Sequence, residues 1–337
     1  MNKKPSETSA TIYDVAKLAG VSIATVSRVL NFPEVVSDKT SVKVLEAIDA
    51  LGYIPKTDAR DRARKEVGHI GVITPFFTLP SFSQRLRGIA TALVDSPYNL
   101  TVYPVDSQKR LDRYLTVLPY SKQVAGLIIV SLPVDELSIK RLRLCEMPTL
   151  LFENHITGFS SIEIDNQYGG ILAAEHFIKK DYYKCAYVGD TVTPKYTLSP
   201  EDERLAGYRQ TLINHDIPLP DNYIKLPAFP RRDPDKQVYE LLDLDDPPRA
   251  IFAATDDLAL QVLKVAQKRG IRIPEDLAVI GFDDIDFAAY LELTTISQSL
   301  YESGRMGAEH LIAQVSNPLR PVENTFIQLR LIERSTT

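Results

Sequence analysis

Beyond residue 67 the chain alternates short apolar runs with stretches long enough for helices: HIGVIT, LTVYPV, AGLIIVSL, TLLFE, KCAYVGD, AIFAATD and LAVIGFDD. Alternation of that kind builds parallel sheets with helices on both faces, the α/β class. Residues 11–55 follow a different period. Thr11 with Asp14 three positions on forms a capping box that opens a helix through Val15, Ala16, Leu18 and Ala19, and Gly20 ends it. Ser22, with Thr25 at the third position, caps a second helix whose Val26, Val29 and Leu30 recur at helical spacing. Counting from Ile12, Ala16 is the small residue where two steeply crossed helices touch, and Gly20 supplies the left-handed bend. Val15, Ala19, Val21, Val26 and Val29 face inward. The pattern is a helix-turn-helix, and after a loop Ser37 caps a third helix carrying Val42, Leu45, Ile48 and Leu51.

A chain of 337 residues, 44% of them hydrophobic, buries one large core and one small one, which fits two unequal domains. The charge is uneven. Residues 1–66 hold eleven Lys/Arg against nine Asp/Glu, a net +2, which leaves −7 for the rest of a chain whose net is −5. A slightly basic head on an acidic body suits a nucleic-acid reader joined to something that is not one. The first twenty residues carry Lys3, Lys4, Glu7, Asp14 and Lys17 without an apolar run, and no stretch approaches the roughly 18 apolar residues of a membrane span, so a soluble, cytoplasmic protein is expected. Cys145 and Cys185 lack metal-ligand spacing and are expected to be buried, reduced thiols.

The run TIYDVAKLAGVSIATVSRVLN, residues 11–31, resembles the headpiece of the LacI/GalR family of repressors, and VVSDKT and GYIP follow in that family's order. The resemblance implies that the second helix lies in the major groove of DNA, with Ser22, Ile23, Ala24 and Arg28 toward base edges. Arg28 has the donor fork for guanine O6 and N7, whereas Ile23 and Ala24 offer only apolar contact, as to a thymine methyl. Ile12, Tyr13, Thr25, Ser27, Asn31, Ser37, Thr40 and Tyr53 match positions that contact DNA, most of them through phosphates; a capping or core role is the alternative for each. Segment 56–66, KTDARDRARKE, corresponds to the family's hinge helix. Lys56 and Ala59 are in place, but Arg62 stands where a leucine usually wedges into the minor groove, and an arginine would act there through the groove's negative potential instead.

For the body the same resemblance implies a periplasmic-binding-protein-like domain of two α/β lobes. The expected organisation is a disordered 1–10, a headpiece 11–55, a hinge 56–66 and an effector-binding, dimerising domain 67–337. Its N-lobe would comprise about 67–164 and 297–324, its C-lobe about 165–296 and 325–334. Ligands in such sheets sit beyond the carboxyl ends of the strands. Glu153, Arg204, Thr255 and Asp283 match effector contacts there, and carboxylates with an arginine suit a sugar, another polyol or a nucleoside-like molecule. Asp256 reads either as a ligand residue or as the cap of the helix DDLALQVL, and Asp284 as a cap or loop anchor. With no Trp in the chain, Phe76, Phe82 and Phe229 are the aromatic candidates, although PFFTLPSFSQ departs from the family's usual first wall.

No metal and no cofactor is expected. The chain lacks GxGxxG after the first strand, GxxxxGK[ST], GxSxG and HExxH, and His155 and His176 read as ordinary polar residues, so an enzyme on this fold is the weaker alternative. A solute-binding protein of a transporter would share the body but has no use for the headpiece. The C-terminal IQLRLIERSTT carries no leucine heptads, which favours a dimer reading a palindrome over a tetramer. The function expected from the resemblance is a DNA-binding repressor controlled allosterically by a small effector.

Overall fold

The computed structural model describes residues 10–31, 35–53, 68–121, 123–190, 194, 196–226 and 234–337. Lys56, Ala59, Arg62 and Phe229 lie outside the described residues, as does the side chain of Asn31.

The head is three helices: α1 (Ile12–Ala19), α2 (Ile23–Asn31) and α3 (Asp38–Leu51). Thr11 accepts the backbone N–H of Asp14 while Asp14 returns to the Thr11 N–H at 2.9 Å, and Gly20 closes α1 in the left-handed region at φ 65°. Val15, Ala16, Val26, Val29 and Leu30 close on Val44, Ala47 and Ile48 of α3. On α3 the buried residues are Val44, Ala47 and Ile48, with Val42 52% exposed and Leu51 also outside, and on α1 Leu18 faces solvent.

The body is two six-stranded sheets. The first runs β2 (Tyr98–Val105), β1 (Gly68–Pro75), β3 (Gly126–Val130), β4 (Thr149–Phe152), β5 (Ser160–Glu163) and β11 (Asn324–Phe326), all parallel. The second runs β7 (Ile224–Lys225), β6 (Cys185–Val188), β8 (Ala250–Ala253), β9 (Ala278–Asp283), β10 (Thr294–Ser297) and β12 (Arg330–Ile332). Its strands are parallel except β12, which pairs antiparallel with β10 as an edge. Helices α4 (Pro80–Leu93), α5 (Gln108–Val117), α6 (Glu136–Leu144) and α12 (Leu300–Ser316) belong to the first lobe. The second has α7 (Asn166–Lys179), α8 (Pro200–Asn214), α9 (Pro234–Leu242), α10 (Asp256–Arg269) and α11 (Asp286–Tyr290). The chain crosses between lobes after β5, β10 and β11. The boundaries differ slightly from those read in the sequence: β11 carries the first lobe to Phe326, and the tail beyond 334 belongs to the second, where Thr336 exchanges hydrogen bonds with Val279.

Each lobe contains one helix pair in backbone contact. A Cβ on Gly88 of α4 would lie 2.0 Å from the Tyr301 carbonyl of α12, and one on Gly170 of α7 would lie 2.0 Å from the Arg204 carbonyl of α8. Only glycine permits that approach. The close approach fixes α4 and α8, which carry Arg85 and Arg204, two residues that line the space between the lobes.

Among the described residues, Asp49 of the head is held by polar groups of the first lobe. Arg141 of α6 donates Nε and Nη2 to the carboxylate of Asp49 on α3 at 3.0 and 2.6 Å, and the Tyr120 hydroxyl adds a third bond at 3.1 Å. Tyr120 and Cys145 pack against the head's apolar core, and burial, followed by the Asp49 charge, pushes the Cys145 thiol up to about 11. Charge-assisted bonds of this kind contribute about 1.5–3 kcal/mol each when partly buried. Arg141→Ala should therefore speed tryptic cleavage among the basic residues of segment 56–66 by an order of magnitude or so, with the thermal midpoint of the body little changed. Unaltered cleavage would show that the ion pair does not hold the head.

Candidate functional site

Two surfaces gather the residues singled out in the sequence. On the head, the α2 N-terminus is built by Ser22, whose Oγ accepts the Thr25 N–H at 3.1 Å and shares a bond with the Thr25 hydroxyl at 2.9 Å. That cap points the start of α2 outward. Ser22, Ile23, Ala24 and Arg28 are exposed, Thr25 and Ser27 half-buried, and Tyr13 is 68% exposed at the start of α1. Ile12 packs half-buried against the head's core. Ser37 and Thr40 repeat the arrangement at α3, with the Ser37 Oγ accepting the Thr40 N–H. Tyr53 takes the core position that was its alternative reading: it is buried among the α1–α3 residues of the head.

The second surface is a cleft between the lobes, partly open to solvent. Phe76, Phe82, Glu153, Arg204, Thr255 and Asp283 all line it, as do Arg85, Ser131 and Gln298. The strand ends present these groups by unusual backbone turns. Phe76, Ser131, Glu153 and Asp283 follow or end β1, β3, β4 and β9, and all four have positive φ, from 43° to 118°. Non-glycine residues held there are strained, and such strain concentrates at functional sites.

Charge in the cleft comes in two matching sets. In the first lobe Arg85 stacks over Phe152 at 5.0 Å and bonds the next residue, Glu153, at 2.7 Å. In the second lobe Arg204 stacks over Phe282 at 3.6 Å, beside the next residue, Asp283. Gln298, in the β10 crossover, joins the sets by accepting Arg85 Nη2 at 3.1 Å and donating to Asp283 at 2.5 Å. Burial pushes the Glu153 carboxyl upward, but Arg85 and the Ser131 hydroxyl outweigh it and hold the group below its ordinary range. Asp283 goes the other way. Burial raises it to about 7 against the pull of Arg204 and Gln298.

Asp256 does not serve the cleft, which corrects its reading as an effector contact. It is fully buried, accepting the Ile285 N–H at 2.9 Å and the Thr295 hydroxyl at 2.5 Å, and burial, then the Asp283 charge, raises it well above the carboxylate range. Nor is it the α10 cap. Thr255 takes that role through the Leu258 N–H, and Asp257 reaches the cleft lining in its place. Asp284 anchors the C-terminal tail through Arg334 at 2.8 Å. His155 bonds Glu163 and His176 bonds Thr337, both outside the cleft's charged set.

Sequence reasoning passed over Arg85, Ser131 and Gln298. For Arg85 a signal existed, since it falls on the apolar stripe of α4 with Phe82, Leu86, Ile89 and Leu93, where a charge must have a buried partner. Among the described residues no group of three or more His, Cys, Asp or Glu is placed to hold a metal, and no helix is long and apolar enough to cross a membrane.

Known proteins resemble the chain over its whole length. Residues 11–56 match the model for bacterial regulatory proteins of the lacI family, and residues 174–337 that for a periplasmic binding protein-like domain. Catabolite control protein A of Priestia megaterium is 32% identical over 325 residues, covering 95% of this chain and 96% of that protein. A solved complex of the transcriptional regulator CelR with cellobiose matches at TM-score 0.68 and 26% identity, covering 97% of this chain and 100% of that one. The lac repressor dimer bound to operator and the anti-inducer ONPF matches at TM-score 0.68 and 27% identity, covering 97% and 99%. With a capped helix-turn-helix, two parallel-sheet lobes and a full-length relative at that identity, the chain belongs to the lacI family of regulatory proteins.

Proposed function

We propose that this chain is a cytoplasmic transcriptional repressor that binds a palindromic operator as a homodimer and is controlled by a small polyhydroxylated effector, most simply a sugar, held between its lobes. The observation that carries the reading is the coexistence in one chain of an exposed α2 N-terminus and a cleft whose charged groups come from both lobes. One head reads a half-site, so two-fold symmetry is needed to read a palindrome. The lac repressor comparison is itself a dimer on operator, and CelR is a regulator holding a sugar.

In the cleft, Glu153 and Asp283 accept hydrogen bonds from ligand hydroxyls, Arg204 and Thr255 donate, and Phe76 and Phe82, in edge contact at 5.9 Å, give the ring an apolar wall. A ligand touching both lobes favours one lobe arrangement, and the arrangement sets the spacing of the two heads. Binding is the whole task of the cleft, so the chain is not an enzyme.

The experiment is a titration of labelled operator, obtained by selecting bound fragments from random DNA, followed by fluorescence anisotropy with and without sugars. A bound effector should shift operator affinity about 5- to 150-fold. Arg28→Ala should weaken binding by about 1–3 kcal/mol and relax sequence preference at one base pair. An operator affinity that no cleft ligand alters would overturn the reading.

A further inference from the structure

We infer that Arg141 of the first lobe, supported by Tyr120, is a positioning residue for operator binding: the two form a seat that fixes the head on its own lobe with the α2 N-terminus open to DNA. The inference rests on the operator-binding reading above and adds what sets the place of the head.

Chain connectivity alone does not set that place. About 15 residues of chain lead from Tyr53 in the head to Gly68 at the start of β1, enough to reach about 50 Å when extended. The seat supplies the missing constraint. The Asp49 carboxylate accepts a parallel fork from Arg141, Nε at 3.0 Å and Nη2 at 2.6 Å, and the Tyr120 hydroxyl at 3.1 Å. Such a fork fixes orientation as well as distance. Arg141 is itself held, since its Nη1 donates to the Thr116 hydroxyl of α5 at 2.9 Å. The two side chains are only 10% and 22% exposed, so the pair avoids most of the screening that weakens surface ion pairs. Around it the contact is apolar: Tyr120, 4% exposed, is part of the head's own buried cluster, and Cys145 packs against that cluster.

The seat takes a part of the head that the proposed DNA contacts leave unused. Asp49 lies in the last turn of α3, about 16 Å along the helix from the N-terminus where Ser37 is exposed. Ser22, Ile23, Ala24 and Arg28 are likewise exposed with the head seated. Seating therefore orders the head without covering its reading face, and the freedom of the head is already lost before DNA binds, which favours binding.

On the first lobe the seat lies at the opposite ends of the strands from the cleft. Tyr120 precedes β3 and Cys145 precedes β4, whereas Ser131 and Glu153 follow those strands and line the cleft. Helix α6 joins the two ends, beginning beyond Ser131 and carrying Arg141 to the seat. A shift of the first lobe thus moves the seated head with it as one body, and in a dimer two such seats set the separation of the two heads.

The test is tolerance of half-site spacing, which a loss of stability alone would not change. The full chain, Arg141→Ala and Asp49→Asn are titrated against the operator that the wild-type chain selects from random DNA. Each is also titrated against the same operator with two base pairs inserted at its centre, which turns one half-site by about 70° and moves it about 7 Å. The wild-type chain should lose about tenfold or more in affinity on insertion, because seated heads cannot follow the displaced half-site. Both variants should bind the selected operator about tenfold more weakly and lose less than about threefold on insertion, because an unseated head reaches either spacing. The variants break one contact from its two sides, so if one fails to fold the other decides. A wild-type chain indifferent to the insertion overturns the inference, as do variants with wild-type affinity and spacing preference. Tighter operator binding by the variants overturns it too, by making the seat a restraint on the head, and so does weaker binding with the spacing preference intact. If the wild-type chain selects no operator at all, it is the repressor reading that fails.

Discussion

Arg204→Ala is expected to destabilise the second lobe by about 3–5 kcal/mol at pH 8, and by distinctly less at pH 5.5. Arg204 is 4% exposed, and its loss strips donors from the buried Asn166 amide oxygen and from the Ala254 carbonyl as well as the cation from beside Asp283. The pH dependence follows from Asp283. Its carboxyl titrates near 3.8 when unperturbed and about 7 in the folded chain, so between those values the native state binds the extra proton and stability falls as pH rises, levelling off above about 7. Removing Arg204 removes a favourable charge from the ionised form, which carries the folded value higher still and extends the fall into the alkaline range. At pH 5.5 Asp283 is already protonated in both proteins and escapes the penalty. Urea unfolding of both chains at the two pH values, followed by circular dichroism, measures the difference. A cost equal at both would mean that Arg204 and Asp283 do not interact.

Gly88→Ala is the second large effect. An alanine Cβ there would stand 2.0 Å from the Tyr301 carbonyl oxygen and 2.9 Å from the Arg305 amide nitrogen, and both are backbone, so no side chain can rotate aside. The substitution ordinarily gains up to about 1 kcal/mol inside a helix. Here α4 and α12 must part, and overpacking of this kind costs about 1–3 kcal/mol with more when backbone has to shift, so a net loss of stability is expected. The displacement would also move Arg85, one turn earlier on α4, from its bond with Glu153, and effector affinity should fall with stability. Gly170→Ala repeats the clash in the second lobe, 2.0 Å from the Arg204 carbonyl. Wild-type stability in either variant would show that the helices are not in backbone contact.

The sequence was most legible where interactions are local. The Thr11–Asp14 box, the Ser22–Thr25 and Ser37–Thr40 caps and the left-handed Gly20 are bonds between residues three or four apart, and the structure forms them. The third helix shows the limit. Apolar residues at 42, 44, 45, 47, 48 and 51 fit two overlapping stripes, and only the position of Val15, Val26 and Val29 selects Val44, Ala47 and Ile48 for the core. Tyr53 was left open between contact and core for a related reason, because an amphipathic ring at a helix end serves a core or a surface equally well.

The cleft divides along the same line. Acids directly after apolar runs mark strand ends in an α/β sheet, which made Glu153 and Asp283 visible, but that rule cannot separate Asp256 from Asp257. Which of them turns inward depends on Thr255 taking the cap and on Thr295 and Ile285, some 30 to 40 residues away, supplying donors beneath it. Arg85 was hidden in the same way, since its acceptors lie 68 and 213 residues further along.

By itself, then, the sequence determined the helix-turn-helix, the α/β class of the body and the family, because caps, turn glycines and the spacing of apolar residues act within a few residues and survive in any tertiary setting. The charge character of the cleft was decided only in three dimensions. Which acceptors an arginine meets depends on what the fold places within 3 Å of it, and here the glycine-crossed helices bring Arg85 to Glu153, and Arg204 to Asn166 and the Ala254 carbonyl.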